Sequence, residues 1–137
     1  EKLTAIDIDG KYLEMPIMAQ KYIPEISEGD RRIIFFDGHY VGSVARIPSE
    51  GSIKANFHAG GSAKKTGLVF RDKQIIDKLG KELKKLDLFF VGIDVIGDYL
   101  TEINVTSPTG IKQINKLNNV KLQQVFWDKL EAKYKIV

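Results

Sequence analysis

The sequence predicts an α+β domain, a mainly antiparallel sheet with two amphipathic helices on one face. Three observations predict it. Residues 89–109 read as two apolar strands around a tight turn. Asp37-Gly38, a strong hairpin signal, separates two further strand-like runs. Residues 71–86 and 120–135 carry apolar side chains at helical spacing.

The chain has 137 residues, of which 43% are hydrophobic. That is one domain's length, with enough apolar material for a core. No stretch is long and uncharged enough to span a bilayer, and none reads as a signal peptide. With no cysteine there is no disulfide framework and no thiol chemistry, which fits a cytoplasmic protein. The net charge of +3 is spread as Lys among acids on the helices. No basic stripe with interleaved aromatics suggests a nucleic-acid partner. The opening Glu1-Lys2-Leu3-Thr4 has no Met and reads as the end of an element. We expect a fragment of a longer protein, with an engineered or processed terminus as the alternative.

Taken in order, Asp9-Gly10 is a turn signal and Tyr12 to Met15 an extended candidate. Ile17 to Tyr22 reads as a short strand that stops before Pro24. Ile33 to Phe36 is a buried strand, and Tyr40 to Ile47 is its hairpin partner, ended by Pro48. Residues 49–67 form a polar loop containing Gly51, Gly60, Gly61 and Gly67. A loop this long is either a binding lid, whose amides accept phosphate oxygens, or a plain surface loop. It is not a Walker motif, because the glycine spacing before Lys64-Lys65-Thr66 is wrong. Ile75, Ile76, Leu79, Leu83 and Leu86 stripe the first helix. Residues 111–119 suggest a helical turn, and Leu122, Val125, Phe126, Leu130 and Tyr134 stripe the second helix.

The hairpin at residues 89–109 sets the register. A three-residue loop, Gly97-Asp98-Tyr99, places Ile93 opposite Ile103 and Asp94 opposite Glu102. Val91, Ile93, Val95, Ile103 and Val105 then share the core face. Asp94, Glu102 and Asn104 share the other, with Arg32 and Arg46. A two-residue loop would split both sets. Two neighbouring carboxylates repel unless something neutralises them. A hard divalent cation such as Mg²⁺ takes this oxygen set; a plain polar face is the alternative. The two histidines, His39 and His58, lack spaced partners for zinc, and no Gly-x-Ser-x-Gly elbow frames a serine.

Six runs now stand in one order: Met18-Ala19-Gln20-Lys21-Tyr22-Ile23-Pro24; Gly29-Asp30-Arg31-Arg32; Val44-Ala45-Arg46-Ile47-Pro48; Asn56-Phe57-His58-Ala59-Gly60-Gly61; Phe90-Val91-Gly92-Ile93-Asp94-Val95-Ile96-Gly97; and Thr101-Glu102-Ile103-Asn104-Val105-Thr106-Ser107-Pro108-Thr109. Together they resemble the carboxyl-terminal part of the ATP-grasp domain of bacterial glutathione synthetases. The resemblance implies a single partial ATP-grasp domain over residues 1–137. The amino-terminal substrate domain and the first half of the grasp would be absent, so the chain alone would be inactive. It implies ATP-driven joining of γ-glutamylcysteine and glycine through an acyl phosphate, by a homo-oligomer when complete. Asp94, Glu102 and Asn104 would hold Mg²⁺ or Mn²⁺. Gln20, Lys21, Tyr22 and Ile23 would hold adenine, and Asp30, Asn56, Gly60 and Gly61 would also serve the nucleotide. Arg32 and Arg46 would be catalytic, and Arg32, Ser107 and Thr109 would contact the peptide substrate. Lys54 lies in the same lid, and the resemblance assigns no role to it or to His58. The alternatives are another ATP-grasp ligase, adding glutamate or D-alanine, and a non-catalytic nucleotide-binding module.

Overall fold

A computed structural model describes residues 5–6, 12–13, 20–49 and 61–135. Its centre is the strand the sequence marks most strongly. β3 (Asp30–Phe36) holds the run Ile33-Ile34-Phe35-Phe36, all fully buried. The Asp37-Gly38 turn has positive φ at both residues, 50° and 74°, the twist that a tight hairpin needs. The chain returns as β4 (His39–Ile47). β6 (Phe90–Ile96) pairs with the other edge of β3, and β7 (Tyr99–Asn104) pairs with β6. With β5 (Ser62–Lys64) on β4, the antiparallel sheet runs β5-β4-β3-β6-β7. A separate two-stranded sheet pairs β1 (Ala5–Ile6) with β2 (Tyr12–Leu13).

The α+β class holds, but the helices do not share one face. α1 (Phe70–Lys85) covers Ile33, Phe35, Val91, Ile93 and Val95 through Leu79, Leu83 and their neighbours. α2 (Ile111–Asn118) and α3 (Leu122–Tyr134) cover Ile34, Phe36 and Val44 through Ile114 and Leu122. The reason lies in β3. A strand segment apolar at every residue, such as Ile33 to Phe36, must be covered on both sides. The suggested turn at 111–119 is therefore a helix of its own. It ends at Asn119 in the left-handed region (φ 53°), and Asn115 Oδ1 accepts the Leu122 amide at 2.9 Å to start α3.

Other expectations shift. Ile103 and Val105 are 45% and 51% exposed rather than in the core, because Ile103 lies on the edge strand β7 and Val105 lies just past its end. Tyr134 is also exposed. Residues 20–23 are not a strand, Pro24 opens a short 3₁₀ helix (Pro24–Glu28), and residues 17–19 lie outside the described residues. β5 falls inside the expected loop. Ser-Ala-Lys shows no apolar alternation, and its place comes from backbone pairing to Ala45, Arg46 and Ile47. Among the described residues no helix is long and apolar enough to cross a membrane.

Candidate functional site

The β6–β7 turn is two residues long, Gly97-Asp98, with Ile96 opposite Tyr99 and Val95 opposite Leu100. The three-residue loop expected from the sequence is not there. The expected register is: Ile93 faces Ile103 and Asp94 faces Glu102. A β-bulge reconciles the two, because Thr101 is an extra residue opposite the Asp94/Val95 step. Thr101 Oγ1 donates to the Asp94 carbonyl at 3.1 Å and fastens the bulge.

Strand pairing carries this row across the sheet. Arg32 sits opposite Asp94, and Asp30 opposite Arg46. The side chains form one buried charge network. Arg46 donates through Nε and Nη2 to the two oxygens of Asp30, both at 2.6 Å. Its Nη2 also lies 2.6 Å from Asp94 Oδ2. Arg32 donates through Nε to Asp94 Oδ1 and through Nη2 to Asp94 Oδ2, the latter at 2.8 Å. Its Nη1 donates to the Thr109 carbonyl at 3.1 Å. Two guanidinium and two carboxylate groups, each at most 8% exposed, thus balance in charge.

The two aspartates answer differently to the same burial. At Asp94 burial pushes the carboxyl up, but the Arg32 hydrogen bonds and the charges of Arg46 and Arg32 outweigh it and hold the carboxyl below its usual range. At Asp30 burial prevails over the Arg46 contacts and leaves the carboxyl raised. Arg46 would be lowered by burial, but Asp30 and Asp94 leave it raised instead.

The remaining predicted residues distribute around this row. Asp94, Glu102 and Asn104 share one face, as do Arg32 and Arg46. Glu102 is exposed, and its carboxylate meets no partner among the described residues. Asn104 is partly buried, and its Nδ2 has no hydrogen-bond partner among the described residues. The amide's orientation is interchangeable, so Asn104 can equally present its oxygen there. Asp94, Glu102 and Asn104 put three oxygen-bearing side chains on one face, the donor type a hard cation takes, while both Asp94 oxygens already accept from arginine. Pro108 is buried in a notch at Gly92, where a Cβ would lie 2.6 Å from Pro108 Cβ. This seats Ser107 and Thr109, both exposed, beside the Arg32 end of the row. Gly61 precedes β5; Lys54, Asn56, His58 and Gly60 lie outside the described residues.

Gln20 to Ile23 line a cleft of about 450 Å³. Its opposite wall is Ile96, Tyr99, Leu100 and Thr101, immediately before Glu102. Asp30 is not among its lining residues, being committed to Arg46. Sequence reasoning found the connecting segment but not this apolar wall, whose signal is the aromatic-aliphatic pair Tyr99-Leu100 flanking the bulge.

A family model described as the ATP-grasp domain of prokaryotic glutathione synthetase matches residues 3–119. The chain is 42% identical over 128 residues to a glutathione synthetase of Agrobacterium fabrum, covering 93% of this chain and 40% of that protein. It is 47% identical over 117 residues to one of Prochlorococcus marinus subsp. pastoris, covering 85% and 38%. The chain thus spans about two fifths of the length of the curated relatives it matches. Among solved structures, the ATP-grasp ligase PsnB, complexed with a minimal precursor, aligns with a TM-score of 0.54 at 15% identity, over 76% of this chain and 34% of that one. That likeness concerns the fold.

Proposed function

The chain belongs to the family of prokaryotic glutathione synthetase ATP-grasp domains, and we propose that it supplies the metal-binding and catalytic face of an ATP-dependent ligase joining γ-glutamylcysteine to glycine. The observation that carries this reading is the facing pair Asp94 and Glu102, with Asn104 on the same face, on the hairpin whose Ile96, Tyr99, Leu100 and Thr101 wall the cleft lined by Gln20 to Ile23. The cleft would take the adenine, between the connecting segment and the apolar wall of the hairpin.

Asp94, Glu102 and Asn104 would hold Mg²⁺ or Mn²⁺, which would neutralise the phosphate oxygens as the γ-phosphoryl group moves to the substrate carboxylate. Arg46 and Arg32 act from beneath this surface. Both are bound to Asp94, so they fix its rotamer and keep it ionised at neutral pH. Arg32 also fixes the Thr109 carbonyl and, with it, the loop that would receive the dipeptide. The neutral amine of glycine would then attack the acyl carbon of the resulting acyl phosphate, forming the amide bond as phosphate leaves.

The test is phosphate release by the complete polypeptide with ATP and Mg²⁺, adding γ-glutamylcysteine and glycine singly and together. Release that needs both, and falls to background in Glu102→Gln, supports the reading. Release with another carboxylate and amine keeps the grasp and replaces the substrates. No release with any pair, despite bound nucleotide, leaves a binding module. The 137 residues by themselves are expected to release none.

A further inference from the structure

The apolar wall of the cleft rests on the two-residue turn Gly97-Asp98, and α1 grips this turn from behind. Arg31 donates through Nη2 to the Gly97 carbonyl at 2.6 Å. The same guanidinium is held by Asp72, with Nε 3.1 and 2.9 Å from its two oxygens and Nη2 2.9 Å from Oδ1. Asp72 lies in the first turn of α1, is fully buried, and also accepts the Val69 amide at 3.1 Å. Its neighbour Arg71 donates through Nε to the Asp98 carbonyl at 3.1 Å. Both carbonyls of the turn are therefore tied to one end of one helix.

From the other side the turn meets Glu25, whose side chain would lie 3.2–3.4 Å from a Cβ on Gly97. Glu25 belongs to the 3₁₀ helix that directly follows Gln20 to Ile23, the opposite wall of the cleft. The turn is thus fixed between α1 and the far wall. A fully buried carboxylate and a largely buried guanidinium are costly features to keep in a fold. Neither Arg31 nor Asp72 lines the cleft.

We infer that Arg31, Asp72 and Arg71 are positioning residues that set the separation of the cleft walls, and so the affinity for the nucleotide, without touching it. This rests on the reading of the cleft as the adenine site. The strain-free way to lose the relay is to shorten or remove a guanidinium. Arg31→Lys keeps the charge opposite Asp72 but loses the fork that reaches both Asp72 and Gly97. Arg71→Ala removes an exposed side chain and leaves the buried pair intact.

The experiment measures ADP affinity by calorimetry in the complete polypeptide, together with kcat and the KM values for ATP and glycine. Arg31→Lys is expected to raise the ADP Kd and the ATP KM by about tenfold, with kcat and the glycine KM nearly unchanged. Arg71→Ala, which keeps its fold, is expected to shift the same two quantities in the same direction by roughly two- to threefold. A fall in Tm with an unaltered ADP Kd in both variants would show a purely structural clamp and overturn the inference. A loss of kcat with unaltered affinity would overturn it too. If the unsubstituted protein binds no ADP, the reading of the cleft fails and the inference fails with it.

Discussion

Truncating Asp94 and truncating Asp30 should have unequal costs, although each removes one buried carboxylate from the same network. In Asp94→Ala, Arg32 loses both of its charged contacts and keeps only the Thr109 carbonyl, while its side chain is 6% exposed. Stranding a buried charge in this way costs about 3–5 kcal/mol. In Asp30→Ala, Arg46 loses two hydrogen bonds but retains Asp94 Oδ2 at 2.6 Å. Hydrogen bonds to charged groups contribute roughly 1.5–3 kcal/mol, and the surviving contact offsets part of their loss. About 2 kcal/mol is the expected cost. For a domain of this size 1 kcal/mol corresponds to roughly 3–4 °C, so Asp94→Ala should lower Tm by about 10–15 °C and Asp30→Ala by about half that. Urea unfolding followed by far-UV circular dichroism gives the two free energies. Equal costs, or a larger cost for Asp30→Ala, would refute the assignment of Asp94 as the shared partner of both arginines.

Two further predictions concern packing at the opposite end of the sheet. Gly80 lies in α1 against the Asp37-Gly38 turn, and a Cβ there would collide with the Gly38 carbonyl oxygen. Gly→Ala inside a helix ordinarily stabilises by about 1 kcal/mol; here overpacking against backbone costs about 1–3 kcal/mol, so Gly80→Ala should lower Tm, and a rise would contradict the contact. Lys133 on α3 lies 2.6 Å from both Asp37 Oδ1 and Asp87 Oδ1. The hydrogen bond from Lys133 lowers Asp37 from its ordinary 3.8, and the bonds to Asp37 and Asp87 raise Lys133 from its ordinary 10.5. The Asp37 contribution is therefore present above pH 3.8 and lost as pH falls through its depressed value. The Lys133 contribution is present below pH 10.5 and lost as pH rises through its raised value. Lys133→Gln should lower Tm modestly across the range between, with the difference from wild type closing at both extremes. A pH-independent difference would rule this out.

What could be read in advance was local. Asp94 and Glu102 are eight residues apart on one hairpin, and period-two alternation places them together. The turn length was misread because burial pattern constrains the register of the strands, and a bulge can supply the missing residue without disturbing it. Helices on both faces were missed, although Ile33-Ile34-Phe35-Phe36 has no polar side to leave uncovered. The charge network was not legible. Arg46 and Asp30 are 16 positions apart, Arg32 and Asp94 are 62, and Arg31 and Asp72 are 41. No periodicity joins such partners before the strand order is known. The arginines were nominated by the family resemblance, which implied contact with phosphate or substrate; the structure adds the carboxylates that hold them. β5 escaped because its place comes from main-chain pairing rather than from its side chains.

The long separations within the charge row also bear on how the site comes into being. The Asp30–Arg46 tie lies within the β3–β4 hairpin, but both arginines also reach Asp94 on β6, so no single hairpin contains the whole network. A chain that has zipped only β3 to β4 holds the Asp30–Arg46 pair without Asp94, and one that has zipped only β6 to β7 holds Asp94 facing Glu102 without either arginine. The complete network exists only after β4 and β6 have both closed on β3, and the β3–β6 contacts are its most non-local and therefore slowest part to make. Peeling away any one of them should dismantle it. Binding competence would then appear late in folding and vanish early in unfolding, and a ligand held there would protect the central strands together rather than one hairpin at a time.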